Sequence, residues 1–396
     1  MKPIILTFIF LSCFSWLLAQ PAEDIYYIPV VVHVVHNGEP VGVGPNISFE
    51  QIQSQIEVLN EDFRRIRDTR GFNDDPVGAD TRIEFFLAAY DPEGKVLSEP
   101  GVDRVKGDRA IWPKGAVRNP IDRQLKPITI WDPERYFNIW TVNFGGFVAR
   151  NLLGYAQFPN DSGLDGLDSH EGTALTDGIV VGYKYFGSSE KGDFPELYAP
   201  YNLGRTTTHE VGHWLGLRHI WGDGDCTVDD FCEDTPPAAA PNNGCPEGAI
   251  SCAAFDMYEN YMDYSYDACM NIFTQCQKNR MRQVLETSPR RKSVVVREKT
   301  SDDQKLTHSP TLSEQHAVIV YPNPFSDHVT LSWTSANPPQ EWNIYNMLGN
   351  HMESGYIPSQ PGIHTYSITT SLPQGLYTLE INFHNNTRSY HHIQRF

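Results

Sequence analysis

The stretch HEVGHWLGLRH, residues 209–219, decides how this chain is read. It spaces His209, His213 and His219 at steps of four and then six. On a helix, residues i and i+4 share a face, so His209 and His213 aim their rings at one point. A continuing helix would carry His219 about 240° away from that face, at roughly 3.6 residues per turn. The helix must therefore stop, and Gly216 is the residue that readily takes the left-handed conformation that ends helices. Three neutral imidazoles with an open fourth position are the donor set of a catalytic zinc site. Glu210 flanks the first of them, placed to take a proton from a water and pass it to a leaving amine. HExxH alone recurs by chance, whereas HExxHxxGxxH is far more specific. The spacing predicts hydrolysis of a peptide bond.

Upstream, YYIPVVVHVV from Tyr26 to Val35 is β-branched and apolar, and reads as a buried strand. SFEQIQSQIEVLNEDFRRI reads as a helix, with Ser48 and Gln51 as a capping box. Ile52, Ile56, Leu59, Phe63 and Ile66 give it one apolar face. RIEFFLAAYDPEG, YFNIWTVNF and DGIVVGYKYFG supply three further strands. Downstream, FTQCQKNRMRQVLETS is helical, with Thr274 and Gln277 as a second capping box and Pro289 as its stop. The fold class is α/β with a mixed sheet. The polar run 290–315 reads as a linker. Beyond it, short alternating runs parted by Gly, Pro and Asn predict a small all-β sandwich over 316–396.

The 396 residues are 40 % hydrophobic and carry a formal charge of −18, with no basic tract. That supports a real core and argues against a nucleic-acid partner. One lysine followed by an apolar run to Ala19 reads as a signal peptide, residues 1–19, and the enzymatic domain would then span 20–289. No other segment is long and apolar enough to be transmembrane. Removing Cys13 leaves Cys226, Cys232, Cys245, Cys252, Cys269 and Cys276, an even cluster that in an exported protein reads as three disulfides. Spacing alone leaves fifteen connectivities open.

The motif, with the following EDTP and ENYMDYSYDACMNIFTQCQKNRM, resembles the pappalysin family of metzincin metallopeptidases, over about residues 25–287. The resemblance implies a five-stranded-type mixed sheet, an active-site helix and a methionine turn at Met262 beneath the metal. It implies that Tyr264 stabilises the tetrahedral intermediate, and that GIVVGYKYF is the upper edge strand that receives substrate. It implies structural calcium, with Asp234 and the Thr235 carbonyl as ligands in the acidic loop 223–234. It suggests the pairs Cys232–Cys252 and Cys245–Cys269, leaving Cys226–Cys276. Some relatives cap the zinc with a pro-segment cysteine, but no cysteine lies between Ala19 and Cys226 here. The C-terminal module, with YPNPF, IYNMLG and LPQGLYTLEI, resembles a type IX secretion sorting domain. That implies outer-membrane secretion machinery as a partner and a secreted or cell-surface location. A reading from another class is a metal-stabilised surface adhesin with a vestigial site; retention of Glu210 and Tyr264 argues against it.

Overall fold

The computed structural model describes residues 24–114, 119–146, 151–167 and 172–297, then 318–321, 327–333, 339–346, 350–357, 365–383 and 388–395. The signal segment 1–19, most of the expected linker and most of YPNPF lie outside the described residues. The chain forms two compact units, Met1–Thr307 and His308–Phe396.

In the first unit, strand β1 (Tyr26–His36) is central. One edge of β1 pairs in parallel with two strands in succession, β2 (Ile83–Leu87) and then β3 (Val102–Lys106). A two-residue ladder joins β4 (Trp112–Pro113) to β6 (Phe144–Gly145). The other edge of β1 pairs in parallel with β5 (Phe137–Val142). The sheet continues to β8 (Ile179–Gly182) and ends in the antiparallel β7 (Gly154–Ala156). The sheet has six strands, yet β2 and β3 share one place beside β1, so it is five strands wide. Two expectations change here. The strands 102–106 and 154–156 were not foreseen, because each is short and lacks a clear apolar alternation. The segment 179–182 is an interior strand flanked on both sides, and the edge is β7.

Alternation along the strands sorts two cores. Ile28, Val30, Val32 and Val34 of β1 join Ile139 of β5 and Ile179 and Val181 of β8 in the larger core. Trp140, Val142 and Val180 face the other way, against Ile121 and Leu125. The larger core is closed by helix α1 (Phe49–Phe63) and helix α3 (Arg205–Trp214), the short α2 (Lys126–Thr129) lying between them in sequence. Ser48 accepts from the Gln51 N–H, but the expected reciprocal bond is missing. The Gln51 side chain instead donates to the Phe186 and Tyr183 carbonyls, which fastens the chain after β8 to α1. Ile66 also leaves the expected apolar face: the helix ends at Phe63, Arg65 takes φ 47°, and Ile66 is exposed.

Helix α4 (Gln275–Thr287) carries the full Thr274–Gln277 capping box. Pro289 does not simply end it: Pro289 starts a further short helix, α5 (Pro289–Ser293). The expected linker therefore begins too early. Arg291 is fully buried, donates to the Trp214 carbonyl, stacks on the Trp214 ring and pairs with buried Asp177. Val296 bridges back to Tyr27. Ordinary linker polarity concealed a buried guanidinium. In the long segment between α3 and α4, Ile250–Ser251 and Ala254–Phe255 form the hairpin β9–β10.

The second unit is two antiparallel sheets. One holds β11 (Val318–Tyr321), β12 (His328–Trp333) and β15 (Thr365–Thr369). The other holds β13 (Pro339–Asn346), β14 (His351–Tyr356), β16 (Gly375–Phe383) and β17 (Arg388–Arg395). Val329, Leu331, Ile344, Leu379 and Ile381 form its core, as the alternating pattern required.

Burial pushes the Asp177 carboxyl up, but Arg291 and Arg290 outweigh it and hold the pKa below the ordinary range. A lowered native pKa means stability that is present above the ordinary aspartate value of about 3.9 and lost as pH falls through the native value. Arg291→Ala is expected to cost about 3–5 kcal/mol, the usual penalty for breaking a buried pair. A chain ended after Ser288 should lose at least as much relative to one ended at Arg297. Urea denaturation at pH 7 measures both, and equal midpoints for the two truncations would refute the assignment of 289–297 to this core.

Candidate metal centre

Helix α3 is built against its own propensity. Its first turn is Arg-Thr-Thr-Thr, and all ten residues are buried. Its N-cap is Gly204 at φ 88°, with no side-chain cap. Other segments provide what is missing. The Asp267 carboxylate accepts the N–H groups of Leu203 (2.8 Å) and Arg205 (3.2 Å). Asp62, at the end of α1, accepts from the Arg205 guanidinium (3.0 Å) and the Thr208 hydroxyl (2.7 Å).

The helix ends as the spacing requires. Gly216 has φ 87°, its N–H donates to the His213 carbonyl, and the Leu217 N–H donates to Gly212. These two bonds are the Schellman pair. They turn the chain so that His219 comes back over the helix. The three Nε2 atoms then lie 3.1, 3.1 and 3.3 Å apart.

Each outer nitrogen has an acceptor. His209 Nδ1–H donates to the Tyr261 carbonyl (2.7 Å), His213 Nδ1–H to the Leu217 carbonyl (2.8 Å), and His219 Nδ1–H to the Asp223 carboxylate. A carbonyl can only accept, so the protons sit on Nδ1 and the Nε2 lone pairs face the shared point. Burial lowers His209 to about 4 and His213 well below its usual range. Burial, then His209, takes His219 to about 2. All three are neutral at pH 7, as metal ligands must be. Tetrahedral bonds of about 2.0–2.1 Å need nitrogens roughly 3.3–3.4 Å apart, so this donor set fits a zinc-sized ion.

Glu210 is buried beside the triad, and burial pushes its pKa up to about 8. It lies against the edge strand at Gly154, where an added Cβ would sit 2.8 Å from Glu210 Cγ. The missing side chain at 154 is what admits the carboxylate. Met262 is fully buried beneath the helix, and a Cβ at Gly212 would meet its sulfur at 2.4 Å. Asn260 holds that turn: it accepts the Met262 N–H and exchanges two 3.0 Å bonds with Gln277, the capping residue of α4. Tyr264 is half exposed, its ring against His219, Trp221 and His209. Burial and then Glu210 push its phenol up to about 12, so it keeps its proton. These groups open into a cavity of about 880 Å³ walled by β7, Tyr201, Asp267 and Met270.

The acids of the loop in which calcium is expected make bonds within the protein. Asp225 and Asp229 accept from N–H groups two residues on, and Asp230 accepts from the Cys232 N–H and the Thr235 hydroxyl. Asp223 serves His219. Asp234 accepts the Cys276 N–H (2.8 Å), and the ligand-type atoms gathered near it are two thiols. Among the described residues, Asp234 and Thr235 share no cluster with other carboxylates. The disulfides also need correction. Cys226 is joined to Cys252, so neither Cys232–Cys252 nor Cys226–Cys276 forms; Cys245 is joined to Cys269. Cys232, which follows the left-handed Phe231 (φ 66°), lies instead beside Cys276 in the first turn of α4. Asp62 and Gly154 carried no signal in the sequence. Asp223 had one, the i+4 step from His219.

Comparison with known proteins adds five findings. The family described as Pregnancy-associated plasma protein-A matches residues 122–286, and the family described as Secretion system C-terminal sorting domain matches 319–393. An extracellular metalloprotease of Verticillium alfalfae is 31% identical over 265 residues, 66% of this chain and 77% of the relative. Extracellular metalloprotease 1 of Coccidioides posadasii is 41% identical over 148 residues, 35% of this chain, which thus spans only 49% of that relative. Mature mirolysin of Tannerella forsythia, solved with a cleaved peptide, is 38% identical with a TM-score of 0.57, covering 73% of this chain and 100% of mirolysin.

Gly212→Ala is expected to destabilise by about 1–3 kcal/mol, the cost of overpacking a tight core. The double variant with Met262→Ala should cost less than the sum of the two single changes, because the clash is gone. Thermal melts of the four proteins in the cycle test this, and strict additivity would rule out the contact.

Proposed function

The chain belongs to the pappalysin-type metallopeptidases, and on that premise we propose that it is a zinc endopeptidase working through His209, His213, His219, Glu210 and Tyr264. It is a secreted or cell-surface metalloprotease, and peptides are its substrates. The observation that carries the finer reading is the convergence of three neutral Nε2 atoms at 3.1–3.3 Å with a buried carboxylate beside them. Zinc, when bound, makes a water more acidic and polarises the scissile carbonyl.

The chain's own residues do the rest. The free edge of β7 accepts substrate backbone as an added strand, which lays the scissile bond over the helix. Glu210 faces that edge through the gap left by Gly154. A zinc ion held by the three histidines would oppose the effect of burial and favour the ionised form of Glu210. As a carboxylate, Glu210 takes a proton from the attacking water and delivers it to the leaving amine nitrogen. Its burial keeps water from competing for that proton. The Tyr264 phenol donates to the oxyanion as it develops. Met262 supports the ligand helix from below. The solved mirolysin complex with a cleaved peptide supports a peptide as the ligand of this chain. For calcium, support is compositional: the loop 223–235 is rich in hard oxygen donors. An amino-terminal signal at 1–19 and a sorting role for 316–396 complete the proposal, the second supported by the sorting-domain match. An adhesin would need neither Glu210 nor Tyr264.

Glu210→Gln should keep one tightly bound zinc and lose roughly 10²–10⁴-fold in kcat, the range for general-base assistance. Tyr264→Phe should lose about 10²–10³-fold, the range for a single oxyanion donor. Steady-state kinetics on one peptide, with metal content measured in parallel, compares them. Wild-type turnover by zinc-loaded Glu210→Gln would end the assignment.

Asp267 walls the cavity and is buried, with burial raising its pKa to about 6, so it is largely ionised at pH 7. It favours a basic side chain after the scissile bond. Asp267→Asn keeps an acceptor for the helix N–H groups but removes the charge. It should lower kcat/KM for arginine there by at least tenfold and leave leucine peptides nearly unchanged. A parallel fall for both peptides would make Asp267 purely structural.

A further inference from the structure

We infer that Cys232 and Cys276 form a third disulfide in the exported protein, tying the loop that carries Asp223 to the first turn of α4. The inference rests on export and not on the peptidase reading, so the two can fail separately. The sulfurs of Cys232 and Cys276 and a carboxylate oxygen of Asp234 all lie within 4.8 Å of one another. The backbone already holds the two segments together. The Cys276 N–H donates to Asp234, and the Cys276 thiol reaches the Phe231 carbonyl at 3.6 Å. Arg280, one turn further along α4, stacks over the Phe231 ring. The backbone contacts exist before any bond between the sulfurs, so closing it needs only local adjustment of side chains toward the roughly 2.05 Å of a disulfide.

The chemistry agrees. Two disulfides already occupy the same region, Cys226–Cys252 and Cys245–Cys269. An oxidising compartment that forms those would not leave two facing thiols reduced. Cys276 is partly exposed and Cys232 is buried. Cys276 is therefore the first nucleophile. Its thiolate attacks an external protein disulfide, giving a mixed disulfide and releasing one external thiol. Cys232 then attacks the Cys276 sulfur and releases the second. Two S–H groups are oxidised, one external disulfide is reduced to a dithiol, and the two protons end on that dithiol. A soft-metal centre would use the same two sulfurs with Asp234. It needs both thiols ionised in a place where burial opposes ionisation of each.

The bond would have a consequence at the candidate active site. Asp223, which fixes the His219 ring, stands nine residues before Cys232 on the same loop. The bridge would limit how far that loop swings from α4.

The test uses the full-length protein purified from an oxidising compartment. It is denatured and alkylated without reductant, then digested and mapped by mass. The expected result is a linked pair of peptides carrying Cys232 and Cys276, with neither alkylated. Alkylation of both would overturn the inference. So would alkylation that appears only after a chelator removes a bound metal, which would establish the metal centre instead. The Cys232→Ser/Cys276→Ser protein should keep its other two bridges and melt about 5–10 °C lower. An unchanged midpoint would overturn the claim that the bond restrains the loop. In Cys232→Ser, Cys276 should label with a thiol reagent under native conditions. In Cys276→Ser, Cys232 should stay unlabelled, and the opposite order would overturn the sequence of attack.

Discussion

A wholly buried helix with no cap of its own is the constraint on which this molecule depends. Helix α3 begins with three threonines and a left-handed glycine, a poor start by propensity. Its free N–H groups and its buried Arg205 would be costly unless satisfied. From opposite directions along the chain, Asp267 takes the Arg205 N–H and Asp62 takes the Arg205 guanidinium and the Thr208 hydroxyl. Removing one partner of such a buried pair typically costs about 3–5 kcal/mol. The helix that carries His209, Glu210 and His213 thus stands where two distant carboxylates hold it, and its rigidity is tertiary.

That rigidity serves the donor set. Metal ligands gain from outer partners that fix their tautomer, and each histidine here has one of a different kind. His209 uses the carbonyl of the residue before Met262, His213 uses its own helix turn, and His219 uses a loop carboxylate. Two glycines make the close approaches possible. Gly212 lets the methionine sulfur reach the helix, and Gly154 lets Glu210 reach the edge strand. A methyl group at either position would separate parts that must touch. The same economy of position appears at Gln277, which caps α4 and also fixes Asn260 under the Met262 turn.

The loop after His219 shows what its acids do besides offering hard oxygen donors. Its acids suggest a cation site, and three of the six, Asp225, Asp229 and Asp230, also accept N–H or hydroxyl donors within the loop and fold it on itself. Carboxylates two residues before a free N–H routinely do this. The cysteines of the same loop behave likewise. Their even number implied bridges, but the fold decides which sulfurs meet: it joins Cys226 to Cys252 and sets Cys232 beside Cys276.

The sequence by itself determined what covalent spacing determines. Steps of four and six around Gly216 required a helix, a left-handed stop and a returning third histidine. A continuous β-branched apolar run required the strand that begins at Tyr26, alternation required the C-terminal sandwich, and Thr274 with Gln277 required the start of α4. These are local rules of period and capping, and they hold whatever the rest of the chain does. Tertiary structure alone decided the partners. Asp62 lies 143 residues from Arg205, and any of several acids would have satisfied the guanidinium equally well in sequence terms. The edge strand 154–156 is too short to declare itself, and becomes an edge only because β8 pairs with it on one side. Arg291 reads as linker charge until Asp177 and Trp214 close around it. In each case a buried donor must be matched, but chain closure in three dimensions chooses the acceptor, and no local period records that choice.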